Sequence, residues 1–419
     1  AGAAVDETRS TRAADGTLKL LLVLADGSEV ESVLIPPLPA GGKRAPSARA
    51  KCTICVSSQV GCRQGCRFCA TGRMGLLRNL SAAEILAQVA AARRAAAKLG
   101  MPAVANVVFM GMGEPADNAE NVRAAVACLV DPKRFNFGRD RVTVSTVAPT
   151  PAAFADVLGV GRGAGQNGQG GGGGGGEDGS VVDGGGEGID IGGGVEAPTS
   201  PRVLAVAGTV GTDLPPGRRG SPPVDPSPAL AWSLHAADEE LRRGLVPTAR
   251  HSPRALRDGL CAALRARPDP RRRRVVLEVA LIAGVNDEPR HAEQIADFIA
   301  PIEQACFDPR RQSGRSGVLV NLIPYNPTYN RPDDGDVAPP DARLANGIPH
   351  FSLFERPSWG RIDAFQDALR ARGVWVSVRA SRGDGDASAC GQLATNKAVA
   401  RDRSAEPTPG GFGPARGRI

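Results

Sequence analysis

The sequence predicts an α/β protein, a parallel sheet wrapped by helices and either open or closed into a barrel. Three observations carry this. Apolar runs of strand length alternate with helical patterns along most of the chain. The polar motifs follow the strands rather than precede them, which is where such sheets gather their chemistry. A Gly-rich tract, too poor in apolar residues to bury itself, interrupts the alternation once and then lets it resume.

The elements follow in order. Residues 1–16 carry no apolar periodicity and read as an irregular N-terminus. Leu18–Leu24 and Glu29–Ile35 are apolar-rich runs split by Ala25-Asp26-Gly27-Ser28, a turn composition, and predict a β-hairpin. A Pro/Gly/Ala linker completes a 17–50 segment, and the main domain spans 51–400. Ser81-Ala82-Ala83-Glu84 is a capping box opening a helix that runs to residue 99. Strands are predicted over 105–110, 141–146, 229–234, 274–282, 318–323 and 374–379. Helices are predicted over 118–129, 238–245, 254–267, 290–302 and 362–371. Residues 161–223 read as a disordered Gly/Pro-rich insertion holding at most a short strand at 203–210, and 401–419 as a disordered tail.

A net charge of +7 favours a polyanionic partner such as RNA. The run Arg271-Arg272-Arg273-Arg274 reads equally well as a solvated turn or as a phosphate contact. No apolar stretch approaches the roughly 20 residues of a membrane-spanning helix, so no membrane partner is expected. Nine cysteines without a secretory pattern predict a reducing, cytoplasmic setting and metal or redox chemistry. The Ala/Gly/Arg/Pro-heavy insertions would also suit a plastid or mitochondrial protein. Cys128, Cys261 and Cys306 lie in apolar or helical contexts and read as packing residues.

The densest chemical signal is Gly61-Cys62-Arg63-Gln64-Gly65-Cys66-Arg67-Phe68-Cys69, spaced C-x3-C-x2-C. Three thiolates on one loop bind three irons of a [4Fe–4S] cube and leave the fourth open, whereas an electron-transfer cluster normally takes four cysteines. A structural zinc loop would need a fourth ligand, usually in a second pair. The open iron is the arrangement of the radical S-adenosylmethionine (SAM) enzymes. There SAM chelates that iron and one electron cleaves it to a 5′-deoxyadenosyl radical. Gly111-Met112-Gly113-Glu114-Pro115, Ser145-Thr146, Ser233-Leu234-His235 and Pro324-Tyr325-Asn326-Pro327 each follow or end a strand, giving a ring of polar groups around a SAM-sized ligand. Alone, His235 would more often be a core histidine. Cys55 precedes the cysteine loop, and Cys390 sits in a Gly-rich acidic stretch that favours a reactive thiol over a buried one.

Cys55-Val56-Ser57-Ser58-Gln59-Val60-Gly61-Cys62, the three-cysteine loop, Arg78-Asn79-Leu80, Gly111–Pro115, Ser233-Leu234-His235-Ala236, Gly284-Val285-Asn286-Asp287 and Ala389-Cys390-Gly391-Gln392-Leu393 together resemble the RlmN/Cfr family. These are radical SAM adenine methyltransferases of ribosomal and transfer RNA. The resemblance runs from Gly16 to Val399, broken by the Gly-rich insertion. It implies a partial (β/α)6 TIM-type radical SAM barrel. It implies Cys62, Cys66 and Cys69 as cluster ligands, and Gly113, Glu114, Ser145, Ser233, Leu234, His235 and Asn326 as SAM contacts. Cys390 would be methylated by a first SAM. A radical from a second SAM would abstract hydrogen from that methyl group, which then adds to the adenine ring. Cys55 would release the adduct by forming a disulfide with Cys390, and Glu31 would accept the proton. The adenine must first leave its stack.

The implied target is adenine C2 in large-subunit rRNA, at the peptidyl-transferase region, and in tRNA beside the anticodon. The implied partners are those RNAs and an electron donor such as flavodoxin or ferredoxin, with a monomeric enzyme. Three alternatives stand beside this: C8 methylation as in the Cfr branch, a truncated inactive RNA-binding homologue, and a radical SAM reaction on a small molecule. Gly391-Gln392-Leu393 favours C2, and intact Cys55, Cys390 and Glu31 favour activity. Two departures from the family pattern are visible. An RNA-facing domain of roughly 80 residues is expected before the hairpin, where this sequence has residues 1–16, so the expectation is a truncated chain. Ala148 stands in Ser145-Thr146-Val147-Ala148 where the family has Gly, which predicts a shifted backbone beside SAM.

Overall fold

The structure is a computed structural model and describes residues 5–37, 50–161, 227–308, 316–328, 342–343, 347–383 and 388–393. Nearly all of the Gly-rich insertion, with the strand expected at 203–210, lies outside the described residues, as do most of the linker and the tail 401–419.

The strands are β1 (Val5–Arg12), β2 (Leu18–Leu24), β3 (Glu29–Ile35), β4 (Cys52–Cys55), β5 (Gln59–Cys62), β6 (Gly75–Asn79), β7 (Val104–Phe109), β8 (Val142–Thr146), β9 (Ala229–Ser233), β10 (Val275–Leu281), β11 (Val318–Pro324) and β12 (Val376–Val378). The helices are α1 (Ala70–Arg73), α2 (Ala82–Lys98), α3 (Ala119–Val130), α4 (Ala153–Leu158), α5 (Glu239–Leu245), α6 (Pro253–Arg265), α7 (Pro289–Ala305) and α8 (Trp359–Ala371).

One large sheet runs in the order β1-β2-β3-β4-β7-β8-β9-β10-β11-β12. The first four strands pair antiparallel, and from β4 onward every neighbour is parallel. The parallel run is strictly sequential, so each right-handed crossover steps the same way and leaves its helix on the same face. Consecutive helices accordingly pack on one another: α2 on α3, α3 on α4, α4 on α6, α6 on α7 and α7 on α8. Among the described residues β12 pairs only with β11, and the sheet is open.

Alternation along the strands sorts the side chains. Ile54, Val144, Trp232, Val279 and Leu322 are buried in the main apolar core. Trp232 sits there between Phe154 and Phe298, with ring centroids 5.4 and 5.9 Å away. The other parity, Cys55, Ser145, Ser233, Glu278 and Ile323, faces a cavity. The hairpin and α2 occur where the sequence places them. Ser81 Oγ accepts from Glu84 N at 3.3 Å, and Ser81 N donates back to Glu84 Oε2 at 2.8 Å.

Residues 5–12 correct the expectation of an irregular N-terminus: they form β1, in register with β2 through Thr8↔Leu22. Val5-Asp6-Glu7-Thr8-Arg9-Ser10-Thr11-Arg12 has no apolar alternation; Thr8 to Arg12 lie exposed on this edge strand, which is held by its ladder hydrogen bonds. The arginine run lies ahead of β10, at the end of the sheet opposite the strands' C-termini. There Arg271 pairs with Asp269 at 3.0 Å, Arg272 donates to Ser227 O at 2.7 Å and Arg273 to Arg265 O at 2.9 Å. No helix among the described residues is long and apolar enough to cross a membrane.

Candidate active site

A cavity of about 420 Å³ opens at the C-terminal ends of the parallel strands. It is lined by Cys55, Cys62, Cys66, Cys69 and Cys390, and by Gly113, Glu114, Ser145, Ser233, His235 and Asn326. Eleven of the thirteen residues singled out in the sequence therefore converge. Glu31 and Leu234 are not in the lining. Glu31 shares a face of β3 with Val33 and Ile35, which do line it, but its carboxylate meets Lys19 Nζ at 3.0 Å. Leu234 is fully buried in the core.

The Gly111–Pro115 turn owes its glycines to close approach. A Cβ on Gly111 would sit 2.8 Å from Val56 O and Ser57 Oγ. On Gly113, at φ +101°, it would lie 2.6 Å from Gln59 Cβ. Glu114 is buried and accepts from Thr146 Oγ1 (2.5 Å), Val147 N (2.9 Å) and Ala116 N (2.8 Å), fastening this turn to the end of β8. Burial pushes its carboxyl up to about 7 against those hydrogen bonds.

The ends of β8 and β9 are joined by hydroxyls. Ser145 Oγ donates to Glu278 Oε2 at 2.8 Å and lies 3.1 Å from Ser233 Oγ. Ala148 (φ 57°) and His235 (φ 62°) follow these strands in the left-handed region, which costs a non-glycine residue about 1–2 kcal/mol. Ala148 therefore takes a conformation that glycine would adopt more easily. Its neighbours enforce this: Val147 N donates to Glu114, and Val147 O accepts from Arg242 at 2.6 Å. Burial drives the His235 imidazole down to about 3, so it is neutral, and Nδ1 accepts from Ala280 N at 3.2 Å. Asn286, from the Gly284–Asp287 motif, donates to His235 O at 3.0 Å and Ala280 O at 2.8 Å, which gives that motif its purpose.

The cysteine loop and the C-terminal segment hold each other. Ala70 N donates to Gly391 O at 2.7 Å, Thr71 Oγ1 to Leu393 O at 2.6 Å, and Asn326 Nδ2 to Cys390 O at 3.0 Å. Cys390 touches solvent, while Cys55 is buried. Burial raises both thiols, Cys55 to about 12; the Arg379 guanidinium opposes the rise at each.

The donor set fits an open-iron cube. Cys62, Cys66 and Cys69 face one cavity with polar strand ends opposite them. Among the described residues no three His, Cys, Asp or Glu side chains close around a single ion, and a cube spreads its thiolates wider than one tetrahedral metal does.

Among the lining residues that the sequence reading passed over are charged ones. Glu278 and Arg379 both face the cavity. The available signal was a charge at the cavity-facing parity of an otherwise apolar strand, in Val275-Val276-Leu277-Glu278-Val279-Ala280-Leu281.

The Radical SAM superfamily model matches residues 56–161. A dual-specificity RNA methyltransferase RlmN of Syntrophobacter fumaroxidans is 32% identical over 391 residues, covering 93% of this chain and 80% of that protein. The chain belongs to the RlmN family. A second RlmN, from Sorangium cellulosum, is 32% identical over 94% of this chain and 80% of its own length. A solved structure of a radical SAM methyltransferase from Sphaerobacter thermophilus superposes with a TM-score of 0.61 at 31% identity, covering 93% of this chain and 81% of that one. Family membership makes the chain a radical SAM methyltransferase whose cofactors are a [4Fe–4S] cluster and SAM. When bound, they supply a 5′-deoxyadenosyl radical. The chain supplies the cysteines, a neutral histidine and a cavity at the strand ends.

Proposed function

We propose that this enzyme methylates C2 of an adenine in large-subunit rRNA, and in tRNA beside the anticodon, through a methyl group carried on Cys390. The supporting observation is the meeting of Cys55 and Cys390 in the cavity that also takes in Cys62, Cys66 and Cys69. Cys55 comes from the first strand of the parallel run, and Cys390 lies beyond the last. A radical reaction on a small molecule has no use for that second pair.

In this reading Cys62, Cys66 and Cys69 hold the cluster, while Gly113, Ser145, Ser233, His235 and Asn326 surround SAM. The Cys390 thiol would take a methyl group from one SAM, releasing S-adenosylhomocysteine and the thiol proton. The methyl would then lose one hydrogen atom to the 5′-deoxyadenosyl radical of a second SAM, and its carbon would bond to adenine C2, the adduct giving one electron back to the cluster. The Cys55 thiolate would then attack the Cys390 sulfur; the sulfur–carbon bond breaks with its electron pair going to the methylene carbon, which takes up a proton and stays on the RNA as the methyl group, and a disulfide remains. Glu31 receives the ring proton, for which its carboxylate must exchange Lys19 for the substrate. In the same reading the fold is a partial (β/α)6 barrel, the chain acts as a monomer, and its electron arrives from a flavodoxin- or ferredoxin-like donor.

The test is anaerobic cluster reconstitution, incubation with SAM and an rRNA fragment, and mass spectrometry of the digest. 2-Methyladenosine is expected. 8-Methyladenosine would assign the Cfr-type reaction, and no methyladenosine from an enzyme with a sound cluster would sink the proposal. Cys55→Ala should accumulate a protein–RNA adduct; free methylated RNA at the wild-type level would remove Cys55 from the reaction.

A further inference from the structure

Arg242 on α5 is 1% exposed, and none of its hydrogen-bond partners among the described residues is anionic. Its guanidinium donates to three carbonyls: Val147 O at 2.6 Å, Leu234 O at 2.6 Å and Ser233 O at 3.2 Å. Its Nε has no acceptor. Burial lowers its pKa only to about 10, so the charge persists at neutral pH. A buried cation with no anionic hydrogen-bond partner is expensive, and three carbonyl dipoles satisfy its protons without neutralising it; the Trp232 ring, 5.9 Å from Cζ, adds only a weak attraction.

The neighbourhood supplies the counter-ion. α5 docks on the cysteine loop: Arg67 N donates to Leu245 O at 3.0 Å, Thr248 Oγ1 donates to Gln64 O at 2.9 Å, and Leu241 and Cys66 pack against the same apolar cluster. Cys66 and, after it, the buried Glu114 carboxyl are the groups that favour the charged form of Arg242; Glu114 already engages Thr146, Val147 and Ala116. A cube held by three thiolates is net negative, and reduction by one electron makes it more so. Cluster potentials respond to net charge, hydrogen bonding and solvent exposure.

We propose that Arg242 is a positioning residue that serves as the buried counter-cation of the cluster, raising its reduction potential, while its three hydrogen bonds fix the two strand ends that face SAM. A nearby fixed cation stabilises the reduced cube more than the oxidised one, because the reduced cube carries more negative charge. The same guanidinium holds the carbonyls immediately before Ala148 and His235, the two strand-end residues with left-handed backbone. Charge compensation and loop geometry thus meet in one side chain.

The inference rests on the cluster and SAM but not on the RNA target, so it survives or fails independently of adenine C2. The experiment is a redox titration of the reconstituted enzyme, followed by the electron paramagnetic resonance signal of the reduced cluster. Arg242→Gln and Arg242→Met remove the charge, and Arg242→Lys keeps it while losing part of the carbonyl fork. Either uncharged variant should give at least tenfold less reduced cluster at a fixed potential, about 59 mV for one electron; Met serves where Gln does not fold. Arg242→Lys should titrate with the wild type yet bind SAM more weakly. An uncharged variant with an intact cluster and a wild-type midpoint would overturn the proposal. So would a Lys variant shifted as far as Gln or Met, since the hydrogen bonds alone would then explain the effect.

Discussion

Replacing Gln88 by Met should cost at least about 3 kcal/mol of stability, although Gln88 touches no ligand. This side chain on α2 is fully buried. Its Oε1 accepts from Ser32 Oγ at 2.6 Å and from Ser57 N at 2.8 Å, and its Nε2 donates to Ser57 O at 2.9 Å. Met fills nearly the same volume, so the loss is polar rather than steric. Three buried groups, the Ser57 N–H, the Ser57 carbonyl and the Ser32 hydroxyl, lose their partner at about 1–3 kcal/mol each. The assay is urea unfolding of the cluster-free protein, read by circular dichroism and tryptophan fluorescence, with a fall in midpoint at unchanged slope. A loss below about 1 kcal/mol would refute the reasoning, since it would mean that water or rotation satisfies those groups. The site should feel the change as well. Ser57 Oγ also donates to Glu31 O at 2.6 Å and accepts from Met112 N at 2.8 Å, so it pins the turn that follows β4 and Cys55.

Glu114 should give the protein a distinctive pH response. Its folded pKa of about 7 lies above the ordinary 4.5. Its contribution is therefore complete below 4.5, fades as pH rises and is gone above 7, about 3 kcal/mol in all. Wild type should lose stability from pH 5 to 7 relative to Glu114→Gln, and a flat difference would contradict the raised pKa. Gly259→Ala should destabilise by about 1–3 kcal/mol, because the new Cβ would stand 2.3 Å from Pro151 O where α6 passes the chain before α4. Stabilisation in thermal melts, as helix propensity alone would give, would be the contrary result. Arg361→Met should cost about 2 kcal/mol by stranding Asp287, whose side chain is fully buried and receives 2.6 and 2.8 Å bonds from Arg361. Adding Asp287→Asn should recover most of that in the same denaturation experiment; no recovery would place the loss elsewhere.

The sequence announced elements wherever burial leaves a periodic trace. β2 reads Leu18-Lys19-Leu20-Leu21-Leu22-Val23-Leu24 with buried residues at every second position, and Ser81 with Glu84 marks the start of α2 chemically. β1 left no trace because Thr8 to Arg12, the part of it whose side chains are described, lie exposed. β4 is four residues long, too short for periodicity to speak, and yet it starts the parallel run. The site was legible where chemistry demands a residue type at a spacing, as in Cys62, Cys66 and Cys69. It was illegible where a side chain acts through distant partners. Arg242 sits in Glu239-Glu240-Leu241-Arg242-Arg243 and looks like any solvated helix arginine, until the fold lays Val147 and Leu234 against it.

The placement of Cys55 at the start of the parallel run and Cys390 after its end also orders events in time. At roughly 5–20 residues per second of synthesis, tens of seconds separate the two thiols on the ribosome. The loop bearing Cys62, Cys66 and Cys69 exists throughout that interval without the segment that docks on Ala70 and Thr71. On the proposed assignment, a nascent chain has its cluster-binding residues long before it has the thiol that would be methylated. In the proposed reaction, only the arrival of Cys390 turns a radical source into a methyl carrier.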